Sequence, residues 1–163
     1  MKVEDLQEQG PRLAPSEIDD FERQIGLRLP DDYRKFLQKT NGGVVLESDG
    51  YFYLDAGDWW NQIHVFFSLR LPDTPDVEIA SVVRRLQRHH PDKFDKLLGK
   101  LPIASDHYGN KIYVKLVGPE QGSVYFWMHD GDVPDDKLSE SFQEFIDSLQ
   151  EKPSESERPD LYP

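Results

Sequence analysis

The stretch from Ser16 to Gly43 limits what this chain can fold into more than any other part of it. Ser16 is a suitable helix N-cap, Asp19 follows three positions later, and acidic residues fill the first turn, where the helix dipole favours them. Ile18, Phe21 and Ile25 recur at helical spacing, so one face is apolar and the other charged. Gly26 suits the left-handed position that ends a helix, and Leu29-Pro30 stops the helix from continuing. A second helix is predicted next, with Tyr33, Phe36 and Leu37 on its buried side and Asn41-Gly42-Gly43 as its stop. Two short helices should therefore feed a strand. These are rules about fold and carry no function.

Residues 1–14 contain Gly10-Pro11 and read as a loosely ordered lead-in. After the helices, Val44-Val45-Leu46 begins a strand, Asp49-Gly50 signals a tight turn, and Tyr51 to Leu54 reads as the hairpin partner. Ile63 to Phe67 is a further strand, and a helix is expected from about Val77 to His89, burying Ile79, Val82, Val83 and Leu86. Pro91 opens another helical turn or two, ending at Gly99. Leu101–Ser105, Lys111–Leu116 and Ser123–His129 read as strands joined by glycine-containing turns. Ser141 caps a last helix with Glu144 at the capping-box position and Phe142, Phe145, Ile146 and Leu149 as its stripe. The tail, 151–163, has almost nothing to bury and is expected to be disordered. With no βαβ alternation, the fold class is α+β: a single antiparallel sheet of about five to six strands, covered on one side by N-terminal, inserted and C-terminal helices.

At 163 residues the chain suits one domain with a proper core. It has no cysteine, which excludes disulfides, thiolate metal sites and thiol nucleophiles. Its first residues lack the basic start and apolar run of a signal peptide, and no stretch is long enough for a membrane span, so a cytoplasmic location is expected. Net charge is −12. From Glu120 to Glu151 nine carboxylates face a single lysine, Lys137, whereas Arg84 to Lys100 holds six basic residues and two acids. Phosphate binding needs basic patches, so most of this surface should repel nucleic acid and attract a basic protein instead. The basic run is read as a solvated helix face, with self-association against the acidic region as a further possibility.

Five histidines, His64, His89, His90, His107 and His129, show no zinc spacing, and His89 and His90, as helix neighbours, point in different directions. Asp130 to Asp136 invites a calcium reading, but Pro134 interrupts it and Ser141 stands where an EF-hand loop needs its glutamate. No nucleophile elbow, phosphate-cradling loop or dinucleotide fingerprint is present. No cofactor, metal or catalytic residue is therefore assigned. The aromatic group Tyr51, Tyr53, Trp59, Trp60 and Phe66 divides between core filling and a binding surface, since Trp and Tyr are the usual anchors of protein interfaces. Asp55, Asp58 and Asn61 interleave with it.

The ordered set of motifs resembles the SUKH superfamily over roughly residues 15–150: the helix, glycine, Leu29-Pro30, acidic pair, Tyr/Phe helix and Asn41-Gly42-Gly43; then Leu101 to Asn110; then Ser123 to Asp130 and Ser141 to Leu149. Tyr51 to Lys100 matches least. The resemblance implies a non-catalytic α+β domain, with bacterial members similar to immunity proteins that neutralise a cognate toxin, often a nuclease. Fungal relatives act in signalling that controls cell-wall synthesis, so a regulatory or scaffold domain without a toxin is the alternative. The expected partner is a basic toxin protein, with no nucleic acid or membrane, and the chain a monomer or weak homodimer. The candidate partner-binding residues are Asp55, Asp58, Trp59, Trp60, Asp130, Asp132, Asp135 and Asp136.

Overall fold

The computed structural model describes residues 6–45, 51–54, 60–70, 78–91, 99–129 and 135–151. Among them the chain runs α1 (Pro15–Ile25), α2 (Asp31–Thr40), β1 (Gly43–Val44), β2 (Tyr51–Leu54), β3 (Trp60–Phe66), α3 (Ile79–His89), β4 (Lys100–Asp106), β5 (Lys111–Lys115), β6 (Val124–Trp127), β7 (Asp136–Ser139), α4 (Phe142–Ser148) and β8 (Gln150–Glu151). The strands make one antiparallel sheet in the order β7-β6-β5-β4-β3-β2-β8, with β1 also paired to β3. β1 and β8 have two residues each, so the body of the sheet is the six strands β2 to β7. The α+β class and the single sheet are as expected.

The helices form for the local reasons the sequence states, with one shift. Pro15 takes the first helical position of α1 and Ala14, not Ser16, is its N-cap; Glu17 reaches back to accept the Ala14 amide at 2.9 Å. Gly26 closes α1 at φ 69°, the left-handed geometry that a side chain would disfavour. Arg34 of α2 then clasps α1, pairing with Asp19 at 2.7 Å and Glu22 at 2.6 Å, and these partners raise its pKa. Ser141 caps α4 by accepting the Glu144 amide at 3.1 Å, while Glu144 accepts the Glu140 amide.

Core residues lie on both sheet faces, and one face carries the aromatic cluster. In register, Leu101, Val114 and Val124 line up across β4, β5 and β6, as do Phe66, Ala104, Ile112 and Phe126 from β3 to β6. All are buried. Onto them α2 and α4 set an aromatic cluster: the Phe36 ring lies 5.3 Å from Phe66 and 5.0 Å from Phe142, and Tyr33 meets Phe142 edge-on at 4.9 Å. Phe66 therefore belongs to the core and leaves the group of rings considered for binding.

Several expectations are corrected. Helices do not cover one side alone. Trp127 alternates with Phe126 and points to the opposite face, where His90, just beyond α3, meets its ring edge-on at 5.5 Å. β2 is not the hairpin partner of β1: both pair with β3, and β2 takes β8 on its other edge. β7 begins at Asp136, where the acidic run from Asp130 ends, and no strand is expected there because Asp136-Lys-Leu-Ser lacks β-branched residues; its pairing with β6 overrides that weak local preference. The lead-in is tied down from Leu6 onward, since Leu6 and Leu13 are buried and Gln7 exchanges backbone hydrogen bonds with Val44. The turn at Asp49-Gly50, the helix expected after Pro91 and the tail beyond Glu151 lie outside the described residues.

Asn41 explains that attachment. It is fully buried at φ 46°, and its side chain donates to the carbonyls of Pro11 (3.0 Å) and Arg70 (3.2 Å) while accepting the Leu69 amide (2.9 Å). A helix stop thus also joins the lead-in to the segment that follows β3. Asn41→Ala should destabilise the protein by at least about 1–3 kcal/mol, the cost of leaving a buried amide without a partner, read from urea unfolding. Phe145→Ala, at a fully buried ring, should cost about 3–5 kcal/mol; an unchanged midpoint would contradict the burial of this ring beneath α4.

Candidate protein-binding surface

Alternate connections of an antiparallel meander fall at the same end of the sheet. The register fixes which ones: Leu54 faces Trp60, Ile63 faces Asp106, Ser105 faces Lys111, Lys111 faces Trp127, and Phe126 faces Asp136. The closing ends of β2–β3, β4–β5 and β6–β7 therefore share one end. Of the residues singled out in the sequence, Trp60 opens β3 and Asp135-Asp136 lead into β7, so the fold brings these two distant groups to a common end. Asp55, Asp58, Trp59, Asp130 and Asp132 lie outside the described residues.

Between those groups stands a turn to which the sequence alone assigns no role. The Asp106 carboxylate accepts three hydrogen bonds, from the amides of Tyr108 and Asn110 (both 2.9 Å) and from the Asn110 side chain (2.8 Å). Gly109 completes the turn at φ 88°. Asn110 Oδ1 accepts the His129 amide at 3.2 Å and lies 3.0 Å from the His129 ring nitrogen, locking the turn to the end of β6. His64 and His107 rings sit 4.4 Å apart beside it. Tyr108, at the tip, is 78% exposed. Lys111 starts β5 with its pKa lowered to about 8, by burial first; nearby Asp106 opposes that shift and Arg85 adds to it.

The other sheet face, across β4 to β7, holds a polar network around buried Tyr113. Tyr113 and Tyr125 stack at 5.6 Å, and the Lys100 ammonium lies 4.8 Å from the Tyr113 ring centre while pairing with Asp135. Burial, then the nearby Asp135, raise the pKa of the Tyr113 phenol, though its hydroxyl makes no hydrogen bond of ordinary geometry. Glu120 gathers Lys115 (2.9 Å), the Tyr125 hydroxyl (2.7 Å) and Lys137 (3.3 Å), which hold its carboxyl down to about 2. Lys137 also pairs with Glu140 at 2.7 Å. Three carboxylates of the acidic run, Glu120, Asp135 and Glu140, thus meet the protein's own lysines. Such pairing spends their charge locally but leaves the net charge of −12 unaltered.

Among the described residues no group of three or more His, Asp or Glu side chains converges as a metal site, and no helix is long and apolar enough to cross a membrane. Arg84, Arg85 and Arg88 lie exposed along α3.

Glu120 gives a pH signature. Its folded pKa lies below the ordinary 4.5, so its contribution is complete above pH 4.5 and fades as pH falls towards 2. The stability advantage of the wild type over Glu120→Gln should be constant near neutrality and shrink below pH 4.5 in urea titrations. Being exposed, it should also weaken with salt.

The SMI1/KNR4 family (SUKH-1) matches residues 12–148. The chain is also similar to the SPbeta prophage-derived uncharacterized protein YokK of Bacillus subtilis (strain 168), 29% identical over 164 residues, covering 88% of this chain and 78% of that protein. No solved structure matches. With the family match running from the lead-in through α4, the chain belongs to the SMI1/KNR4 family (SUKH-1).

Proposed function

We propose that this protein is an immunity-type module that neutralises a cognate toxin, of nuclease type, by direct binding, and that it transforms no substrate itself. Family membership over residues 12–148 is the observation that carries this reading, because the bacterial branch of the superfamily resembles toxin-neutralising proteins. Two features agree with it. A net charge of −12 draws a basic protein and speeds encounter through long-range attraction, within the roughly 8 Å Debye length of physiological salt. Trp60, Asp135 and Asp136 also fall at one end of the sheet, with three strands between β3 and β7, an arrangement that agrees with contact across that end. The interface we assign comprises Asp55, Asp58, Trp59, Trp60, Asp130, Asp132, Asp135 and Asp136, in a cytoplasmic protein that is a monomer or weak homodimer.

The test is titration calorimetry against the protein encoded by the adjacent gene, at low and high salt, with rescue of growth on co-expression. Tight, salt-sensitive binding with rescue is expected; an adjacent product that is neither toxic nor bound would contradict the proposal. Charge reversal belongs at Asp130 and Asp132, because a lysine at Asp135 would stand against Lys100. Asp130→Lys with Asp132→Lys should slow association roughly tenfold at low salt and leave the unfolding midpoint in place. Unchanged stopped-flow kinetics would remove this segment from the interface.

A further inference from the structure

Three large apolar side chains are exposed among the described residues: Tyr108 at 78%, Val117 at 40% and Met128 at 39%. Two of the three belong to the same end of the sheet. Tyr108 caps the β4–β5 turn, Met128 follows β6, and the turn is locked to His129 through Asn110. A Cβ placed on Gly109 would lie 3.7 Å from the His129 ring, so the tip and the strand end are in near contact. Val117 sits at the other end, in the β5–β6 connection.

An aromatic ring left in water on a mobile loop loses conformational freedom when it binds, and that cost cancels much of its contact energy. The backbone under Tyr108, by contrast, is already fixed by the three hydrogen bonds to Asp106 and the link to β6. The ring is presented on a rigid mount, the arrangement in which a tyrosine anchors an interface at low entropic cost. We infer that Tyr108, supported by Met128, is the apolar anchor of the partner interface, inserting into a pocket on a cationic protein. The cationic character rests on the net charge of −12, which draws a basic protein at long range although Arg84, Arg85 and Arg88 make the α3 face itself basic. The inference rests on the proposed toxin-binding function and adds to it a residue outside the acidic and tryptophan set.

The experiment uses the full chain and the protein encoded by the adjacent gene. Wild type, Tyr108→Ala, Tyr108→Phe, Met128→Ala and Val117→Ser are compared by titration calorimetry at two salt concentrations, with the unfolding temperature of each. Tyr108→Ala should weaken binding about 30-fold or more, the scale of an anchor residue, while Tyr108→Phe stays near wild type. The salt slope should be kept, because an apolar contact is lost and no charge. Met128→Ala should weaken binding by a smaller factor, and Val117→Ser should leave it unchanged. All four variants should melt with the wild type. Wild-type affinity for Tyr108→Ala overturns the anchor while leaving the toxin-binding function standing. An equal loss in Val117→Ser also overturns it, by showing that exposed apolar area at either end serves alike. Absence of binding by the wild type overturns both. Association of the chain with itself in sedimentation, abolished by Tyr108→Ala, would make a second copy the occupant and overturn the cationic partner.

Discussion

A strand in an antiparallel sheet cannot choose where its connection emerges. Once β2 to β7 pair in the observed order, β2–β3, β4–β5 and β6–β7 must close at one end, and the β5–β6 turn and the passage through α3 at the other. That constraint underlies the proposed binding surface. It brings Trp60, Tyr108, Met128 and Asp136 to a common end although no two of the strand closings that carry them are adjacent in sequence. The constraint holds because the two faces of the sheet are packed differently: a slip of one residue would turn Ile112, Val114 and Phe126 onto the face that holds Tyr113, Tyr125 and Trp127.

The aromatic cluster makes the register worth keeping. Phe36 from the second helix meets Phe142 from the last and itself reaches Phe66 in β3, so the second and last helices join over the same patch of sheet. On the far face the chemistry differs. Stacked tyrosines, Lys100, Lys137 and their carboxylates make a polar network that holds β4 to β7 edge to edge. Acids that look like free charge in the sequence are partly engaged there, so the proposed recognition leans on long-range attraction and on the rings.

The parts of the fold that are legible in the sequence are those governed by short-range rules. Gly26, Asn41 and Ser141 mark helix ends through geometry that neighbouring residues alone impose, and Phe142, Phe145 and Ile146 declare their face by spacing. Strand pairing is not legible where local preference is silent. Asp136 to Ser139 has no strand-forming signature, and only the edge of β6 makes it a strand. The partnership of β1 and β2 with β3 depends on contacts that no turn signal reveals. Tyr108 could have been noticed as an aromatic flanked by Asp106, Gly109 and Asn110 between two strands, a composition that fixes a turn and leaves the ring outside. The double duty of Asn41 is hidden because Pro11 and Arg70 reach it only through the tertiary fold.

Hydrogen exchange of the chain alone and with the protein encoded by the adjacent gene reports most directly whether one end of the sheet is the working surface. The account predicts new protection concentrated at residues 107–110 and 128–136, with α1 and α2 exchanging as before. Protection centred instead on α1 and α2, or on the β5–β6 connection at the opposite end, would contradict it.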